Sequence, residues 1–147
     1  MSRILGIDFG ERRIGLALSD ALGITAQGLP TLDAKKTEDV FAYIENIIKE
    51  KDVTLVIVGM PKNMNGTIGP KGREVERFIQ ELIKRTKIEV IPWDERLSSV
   101  QSLKAMREMG TKQKHKEVVD RISATLILQS YLDSMEHLDK LPPKNEI

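Results

Sequence analysis

The chain contains no cysteine in 147 residues, which excludes disulfides, Cys-ligated zinc, iron–sulfur clusters and thiol nucleophiles. Aromatic residues make up only 4%, with a single tryptophan, Trp93. Trp93 could stack on a base, but its place at the end of an apolar strand favours a core role. No apolar run approaches the ~20 residues of a membrane span, and the N-terminus opens directly on a strand pattern with no signal peptide. A cytoplasmic protein without membrane contact is expected. Excess charge of one sign is also missing, the net charge being +1. A nucleic-acid binder is often more basic, yet the distribution of charge matters more than its total.

What is present suits one globular domain: 147 residues, 40% apolar and 31% charged, enough for a proper core. Residues 1–138 are expected to form it, with 139–147, including Leu141-Pro142-Pro143, as a flexible tail. Ile4–Phe9 reads as a buried strand. Ile14, Leu16 and Leu18 alternate with Gly15, Ala17 and Ser19 as a second strand, and Ile24–Leu32 is a third, weakened by Gly28 and Pro30. Val40, Phe41, Ile44, Ile47 and Ile48 mark a helix over 37–51, with Thr37 as N-cap and Glu38 and Asp39 in its first turn. Leu55–Val58 is a central strand. A second helix over 70–85 turns Val75, Phe78, Ile79, Leu82 and Ile83 inward, and Ile88–Trp93 is a fifth strand. Leu97, Val100, Leu103 and Met106 mark a third helix stopped at Gly110, and Glu117–His137 is the last. The order β-β-β-α-β-α-β-α-α implies an α/β fold, a mixed sheet with helices on its faces.

Three acidic positions stand where a carboxylate is disfavoured. Asp8 closes the run Ile4-Leu5-Gly6-Ile7, the pair Asp94-Glu95 follows Val90-Ile91-Pro92-Trp93, and Asp120 heads a mostly apolar helix. Buried charge is costly unless paired or bound to metal. Asp8 could instead cap a turn, and Arg96 could simply neutralise Asp94 or Glu95. Which of those two acids points inward stays open. Asp120 shares a helix face with Ala124, Ile127, Leu128 and Tyr131, so it faces the protein; the alternative is a first-turn Asp that complements the helix dipole. Oxygen-only ligands suit Mg²⁺ or Mn²⁺ rather than zinc. Two such ions ~3.5–4 Å apart can activate water and stabilise the leaving oxygen of a phosphodiester.

Other signals concern phosphate. Gly59-Met60-Pro61-Lys62-Asn63-Met64-Asn65-Gly66-Thr67-Ile68-Gly69 leads into a helix N-terminus, a natural phosphate site, although no Gly-Lys-Ser/Thr makes it a P-loop. Lys104, Arg107, Lys112, Lys114, His115 and Lys116 stand against only Glu108 as a basic stripe, or as a solvated helix end. His115 suits a phosphate contact better than metal ligation, since no second histidine or cysteine accompanies it.

Four blocks together resemble the YqgF/RuvX family of the RNase H-like superfamily over residues 4–132. They are Gly6-Ile7-Asp8-Phe9-Gly10 with Arg13-Ile14-Gly15-Leu16-Ala17 and Ser19-Asp20; Gly59-Met60-Pro61 with Gly66, Gly69 and Phe78; Asp94-Glu95-Arg96-Leu97-Ser98-Ser99; and Lys114 with Asp120, Ala124, Ile127, Leu128 and Gln129. The resemblance implies a five-stranded mixed sheet whose second strand is antiparallel to the rest, with helices on both faces. It also implies a metal-dependent nuclease that matures the 5′ end of pre-16S ribosomal RNA, or a Holliday junction resolvase. By motif position Asp8, Glu95 and Asp120 carry over as catalytic acids and ligands of Mg²⁺ or Mn²⁺, with Asp94 or Arg96 as orienting neighbours or Asp94 as alternative ligand. Related resolvases carry a Glu by the fourth strand. Val58-Gly59-Met60-Pro61 has no acid, so the Asp94-Glu95 pair must substitute. Lys62, Asn63, Arg96, Lys112, Lys114, His115 and Lys116 are the candidate nucleic-acid contacts. The expected partners are precursor rRNA, branched DNA or ribosomal particles, with the chain acting as a monomer or homodimer. A non-catalytic nucleic-acid or ribosome-binding module is the reading from another class. A sugar-kinase or actin-like fold, suggested by Asp8-Phe9-Gly10, would need two domains and a second such motif.

Overall fold

A computed structural model describes residues 2–109 and 112–139, apart from the side chains at 107–109, 113–114 and 137–139. The expected helix stop at Gly110, the side chains of Arg107, Glu108 and Lys114, and the tail beyond Asp139 lie outside the described residues. The strands are β1 (Arg3–Asp8), β2 (Arg13–Ser19), β3 (Ala26–Asp33), β4 (Val53–Met60) and β5 (Glu89–Asp94), and the helices α1 (Val40–Glu50), α2 (Pro70–Thr86), α3 (Val100–Met109) and α4 (Gln113–Asp139). They build one sheet in the order β3-β2-β1-β4-β5. β2 is antiparallel to both its neighbours, and β1, β4 and β5 run parallel. This is the expected mixed sheet. Pro30 is tolerated because β3 is an edge strand, where a missing N–H need not break a ladder.

Strand alternation sorts the side chains into two cores. Leu5, Ile7, Ile14, Leu16, Val56, Val58 and Met60 pack with Ile44 of α1 and with Val75, Phe78, Ile79 and Leu82 of α2. Ala17, Ile57, Ile91 and Trp93 pack on the opposite face with Ala124, Ile127, Leu128, Tyr131 and Leu132 of α4. Trp93 is a core residue as expected: its indole N–H donates to the Ser130 hydroxyl at 3.0 Å, and its ring meets Tyr131 edge-on at 5.4 Å.

Several helix boundaries differ from the sequence expectation. The N-cap of α1 is Asp39, whose carboxylate accepts from the Phe41 and Ala42 N–H groups, while Thr37 instead donates to the Asp33 carbonyl. Periodicity alone could not separate two capping residues two positions apart. Ile83 is exposed on α2, and Leu97 and Met106 are exposed as well. Leu97 belongs to a separate 3₁₀ turn, Glu95–Leu97, and is therefore out of phase with α3. α4 begins at Gln113 rather than Glu117. Asp120 therefore lies two turns inside the helix and does not serve its N-terminal dipole. Among the described residues no helix is long and apolar enough to cross a membrane.

α4 approaches the sheet closely because glycines lie beneath it. A Cβ on Gly15 would stand 2.1 Å from the Asp120 carbonyl oxygen, and one on Gly6 would stand 2.7 Å from Leu128 Cβ. Gly15 pairs with Asp8 across β1 and β2, so the clearance lies beside the acid at the end of β1. Gly15→Ala should destabilise the protein by about 2–3 kcal/mol, as forced overpacking does, in urea unfolding. Parental stability in that variant would mean that α4 does not sit so close.

Candidate active site

Three elements bring the acids together from opposite sides of the sheet's end. Asp8 is the last residue of β1, and β5 runs parallel to β1 one strand beyond β4. The C-terminal ends of β1, β4 and β5 thus lie on one edge, the edge at which open α/β sheets bind ligands. At the end of β5, Asp94 caps the 3₁₀ turn by accepting from the Arg96 N–H, which turns the following residue, Glu95, inward. Glu95 is 1% exposed, Asp120 1% and Asp8 4%. Asp94 and Glu95 are thereby separated: Glu95 is buried, and Asp94 pairs with the Arg96 guanidinium at the rim. That pairing, helped by the Arg96 N–H, holds the Asp94 carboxyl below the usual range. Gly59 makes the room for Glu95, since a Cβ there would stand 3.3 Å from Glu95 Cγ and Oε1.

Such carboxylates need cations, and among the described residues Arg13 and Lys104 lie against them. Arg13 Nε donates to Asp120 Oδ2 at 2.8 Å across 107 residues of sequence. Lys104 on α3 places its ammonium 2.9 Å from Asp8 Oδ1 and in hydrogen-bond contact with Glu95 Oε1. Burial pushes the Asp8 carboxyl up to about 6; the Lys104 ammonium opposes the rise, and the nearby charges of Glu95 and Asp120 add to it. Burial also works against the charge of Lys104, but Asp8 and Glu95 outweigh it and hold that ammonium above its ordinary range. Sequence reasoning placed Lys104 in the basic stripe and gave Arg13 no role. The signal for Arg13 was its alternation with Gly15 and Ala17 on β2, which turns it to the face that α4 covers.

Asp8 and Glu95, but not Asp120, open into a cleft of about 450 Å³ lined also by Phe9, Gly10, Glu11, Arg13, Gly59, Pro61, Lys71, Glu74, Val75, Gln101 and Lys104. Its cationic lining among the described residues is Arg13, Lys71 and Lys104, of which Lys104 belongs to the basic stripe read from the sequence. Lys62 lines a separate groove with Met60, Ile68, Trp93 and Asp94. The Asn63 side chain is engaged within its own loop, donating to the Thr67 hydroxyl. Arg96 binds Asp94 and reaches the Met64 carbonyl at 3.3 Å, so it tethers the glycine loop. Lys112 and His115 are exposed and Lys116 is half-buried at the start of α4, outside the cleft lining.

The donor set can be compared with a divalent ion. Carboxylate oxygens are the ligands Mg²⁺ and Mn²⁺ prefer, and Asp8 and Glu95 already grip one cation between them. Among the described residues, no three acidic or histidine side chains close around a single point; Asp120 is turned to Arg13 and the other two acids to Lys104. The residues fit the ion in chemistry, with the two basic side chains holding the oxygens that ligation would use.

Carboxyl-carbon NMR of the metal-free protein should show Asp8 titrating with a midpoint near 6. An unfolded Asp titrates near 3.8, so between these values the folded chain holds the extra proton. This group therefore lowers stability as the pH rises through that window. A midpoint near the ordinary value would show that Asp8 is not held in the dry position described.

The family model described as "RuvX: Holliday junction resolvase" matches residues 2–134. A protein of Acetivibrio thermocellus is 51% identical over 135 residues, covering 90% of this chain and 96% of its own length. One of Thermoanaerobacter pseudethanolicus is 45% identical over 137 residues, covering 92% and 99%. Both bear the name "Putative pre-16S rRNA nuclease". Among solved structures, RuvC of T. thermophilus in complex with a Holliday junction substrate superposes with a TM-score of 0.54 at 13% identity, covering 91% of this chain and 96% of that one. That likeness carries the RNase H-like fold. With its family blocks on adjoining strand ends and on the helix that covers them, the chain belongs to the RuvX family.

Proposed function

We propose that the chain is a divalent-metal-dependent endonuclease that hydrolyses phosphodiester bonds, acting on the 5′ region of pre-16S rRNA in the cytoplasm. The observation that carries this reading is the burial of Asp8, Glu95 and Asp120 at one sheet edge, where unpaired charge would be prohibitive. Relatives 45–51% identical over at least 90% of this chain are named for that RNA, whereas the junction-bound neighbour shares 13% identity and speaks for the fold. Resolution of branched DNA is the competing reading, and it asks for a dimer presenting two such clefts.

Asp8 and Glu95 would hold the metal, with Asp120 completing the set once it leaves Arg13. Two ions bound there would activate the attacking water and stabilise the leaving oxygen. The protein's own contribution is positional. Arg13, Lys71 and Lys104 line the cleft and offset the repulsion between a phosphate and three acids. Gly59 leaves space for Ile127 and Glu95, and Gly10 for the Arg13 backbone, so the strand ends pack closely around the acids. Asp94 and Arg96 act on the site indirectly by fixing the turn that buries Glu95. The exposed Lys112 and His115 and the half-buried Lys116, together with Lys114, would extend the track for the nucleic acid, and ribosomal particles would present it.

Cleavage should be assayed in parallel on a pre-16S rRNA fragment and a four-way DNA junction, with Mg²⁺ and with Mn²⁺. The RNA should be the better substrate, and Asp8→Asn should lose at least about a thousandfold, roughly 4 kcal/mol of barrier, with the fold intact. Full activity in Asp8→Asn would overturn the assignment, and preference for the junction would favour the resolvase. Glu95→Gln should match the Asp8→Asn loss while Asp94→Asn stays within about tenfold of the parent, near 1.4 kcal/mol. The reverse ranking would make Asp94 the ligand.

A further inference from the structure

Lys104 touches two of the three buried acids at once. Its ammonium lies 2.9 Å from Asp8 Oδ1 and bonds Glu95 Oε1. It therefore occupies the space between the two carboxylates and takes up the oxygens that metal binding would use. The lysine side chain is 25% exposed, against 4% and 1% for its partners, so its outer side faces the cleft. Its root is on α3, not on the sheet. α3 is fastened near its start by buried Val100, by the Val100 N–H to the Ser98 hydroxyl and by Gln101 to the Lys62 carbonyl at 3.4 Å. A four-carbon stem rooted there can swing its head out of the site without disturbing either core.

We propose that Lys104 is a resident counter-ion that competes with the metal for Asp8 and Glu95, so that metal loading requires its ammonium to leave. The inference rests on the metal-site reading above. In the metal-free protein two buried like charges would repel each other and stand unpaired, a costly arrangement. One ammonium between them offsets both, and its three donors can serve two carboxylates. An incoming divalent cation must replace those bonds before it gains its own, which lowers its apparent affinity. The lysine is thus a positioning residue. It keeps the two acids facing one another while the site is empty, and it sets the concentration of metal at which the site fills.

The test is Mn²⁺ calorimetry without substrate on the wild-type chain, Lys104→Met and Lys104→Arg. Lys104→Met keeps the stem and removes the charge; it should bind Mn²⁺ about tenfold tighter, a coupling of ordinary size. It should melt lower than wild type without metal and gain more on adding Mn²⁺. Lys104→Arg retains a competing cation and should bind close to wild type. Equal or weaker Mn²⁺ binding by Lys104→Met overturns the proposal while leaving the metal site in place. No Mn²⁺ binding by any of the three overturns the metal reading itself and the proposal with it. Should Lys104→Met fail to fold, the wild-type chain decides. The Lys104 ammonium resonance, detected by ¹⁵N NMR in the metal-free protein, should lose its protection from solvent at saturating Mg²⁺. Its persistence there overturns the proposal.

Discussion

The close seating of α4 on the sheet is the constraint from which the rest follows. Gly15 and Gly6 remove the side chains that would hold the helix off at those two points, so the backbone at Asp120 meets β2 directly. Only at that depth can an acid on a helix reach the neighbourhood of acids at strand ends. The same contact buries Ile127 and Leu128 completely, each worth about 1.5–3 kcal/mol of apolar burial. Core and site are therefore one contact. The apolar face of α4 holds the helix down, and the buried carboxylate of Asp120 is carried into place by that packing.

The electrostatics complete what the packing begins. Three buried acids would destabilise a domain of this size, and each is answered at short range, Asp120 by Arg13 and the other two by Lys104. The compensation is incomplete at Asp8, where desolvation outweighs the ammonium. An acid pushed up by burial beside other buried acids is a common mark of a functional site. Asp94 shows the contrast: one residue before Glu95 on the chain, at the rim and matched to Arg96, its carboxyl is held below the usual range and does structural work.

Most of the fold was legible in the sequence because it rests on periodic signals. Alternation in Ile14, Leu16 and Leu18 and the continuous run at Leu55–Val58 are local patterns that one strand imposes on its own residues. The acids were legible because a charge at a buried position of such a pattern conflicts with it. The cations that answer them follow no period. Arg13 and Asp120 are 107 positions apart, and Lys104 stands among other bases in a stretch where surface and interior read alike. The choice between Asp94 and Glu95 likewise depends on a 3₁₀ turn set by a single capping carboxylate. Leu97 and Met106 misled because apolar residues at helical spacing do not reveal where one turn ends and the next helix begins.

The amide of Gln129 accepts from the Ala26 N–H and donates to the Ile24 carbonyl, while more than three turns toward the start of the same helix the Glu117 carbonyl accepts from the Thr31 hydroxyl. α4 thus clasps the outermost strand at both ends, like a splint. Slipping β3 along β2 by one pair would break both fastenings together, which protects an exposed sheet edge from the sliding and recruitment of other chains to which such edges are prone. Since that splint also carries Asp120, the rim of the sheet and its reactive edge share one mechanical support, and fraying at the rim would be transmitted to the acid.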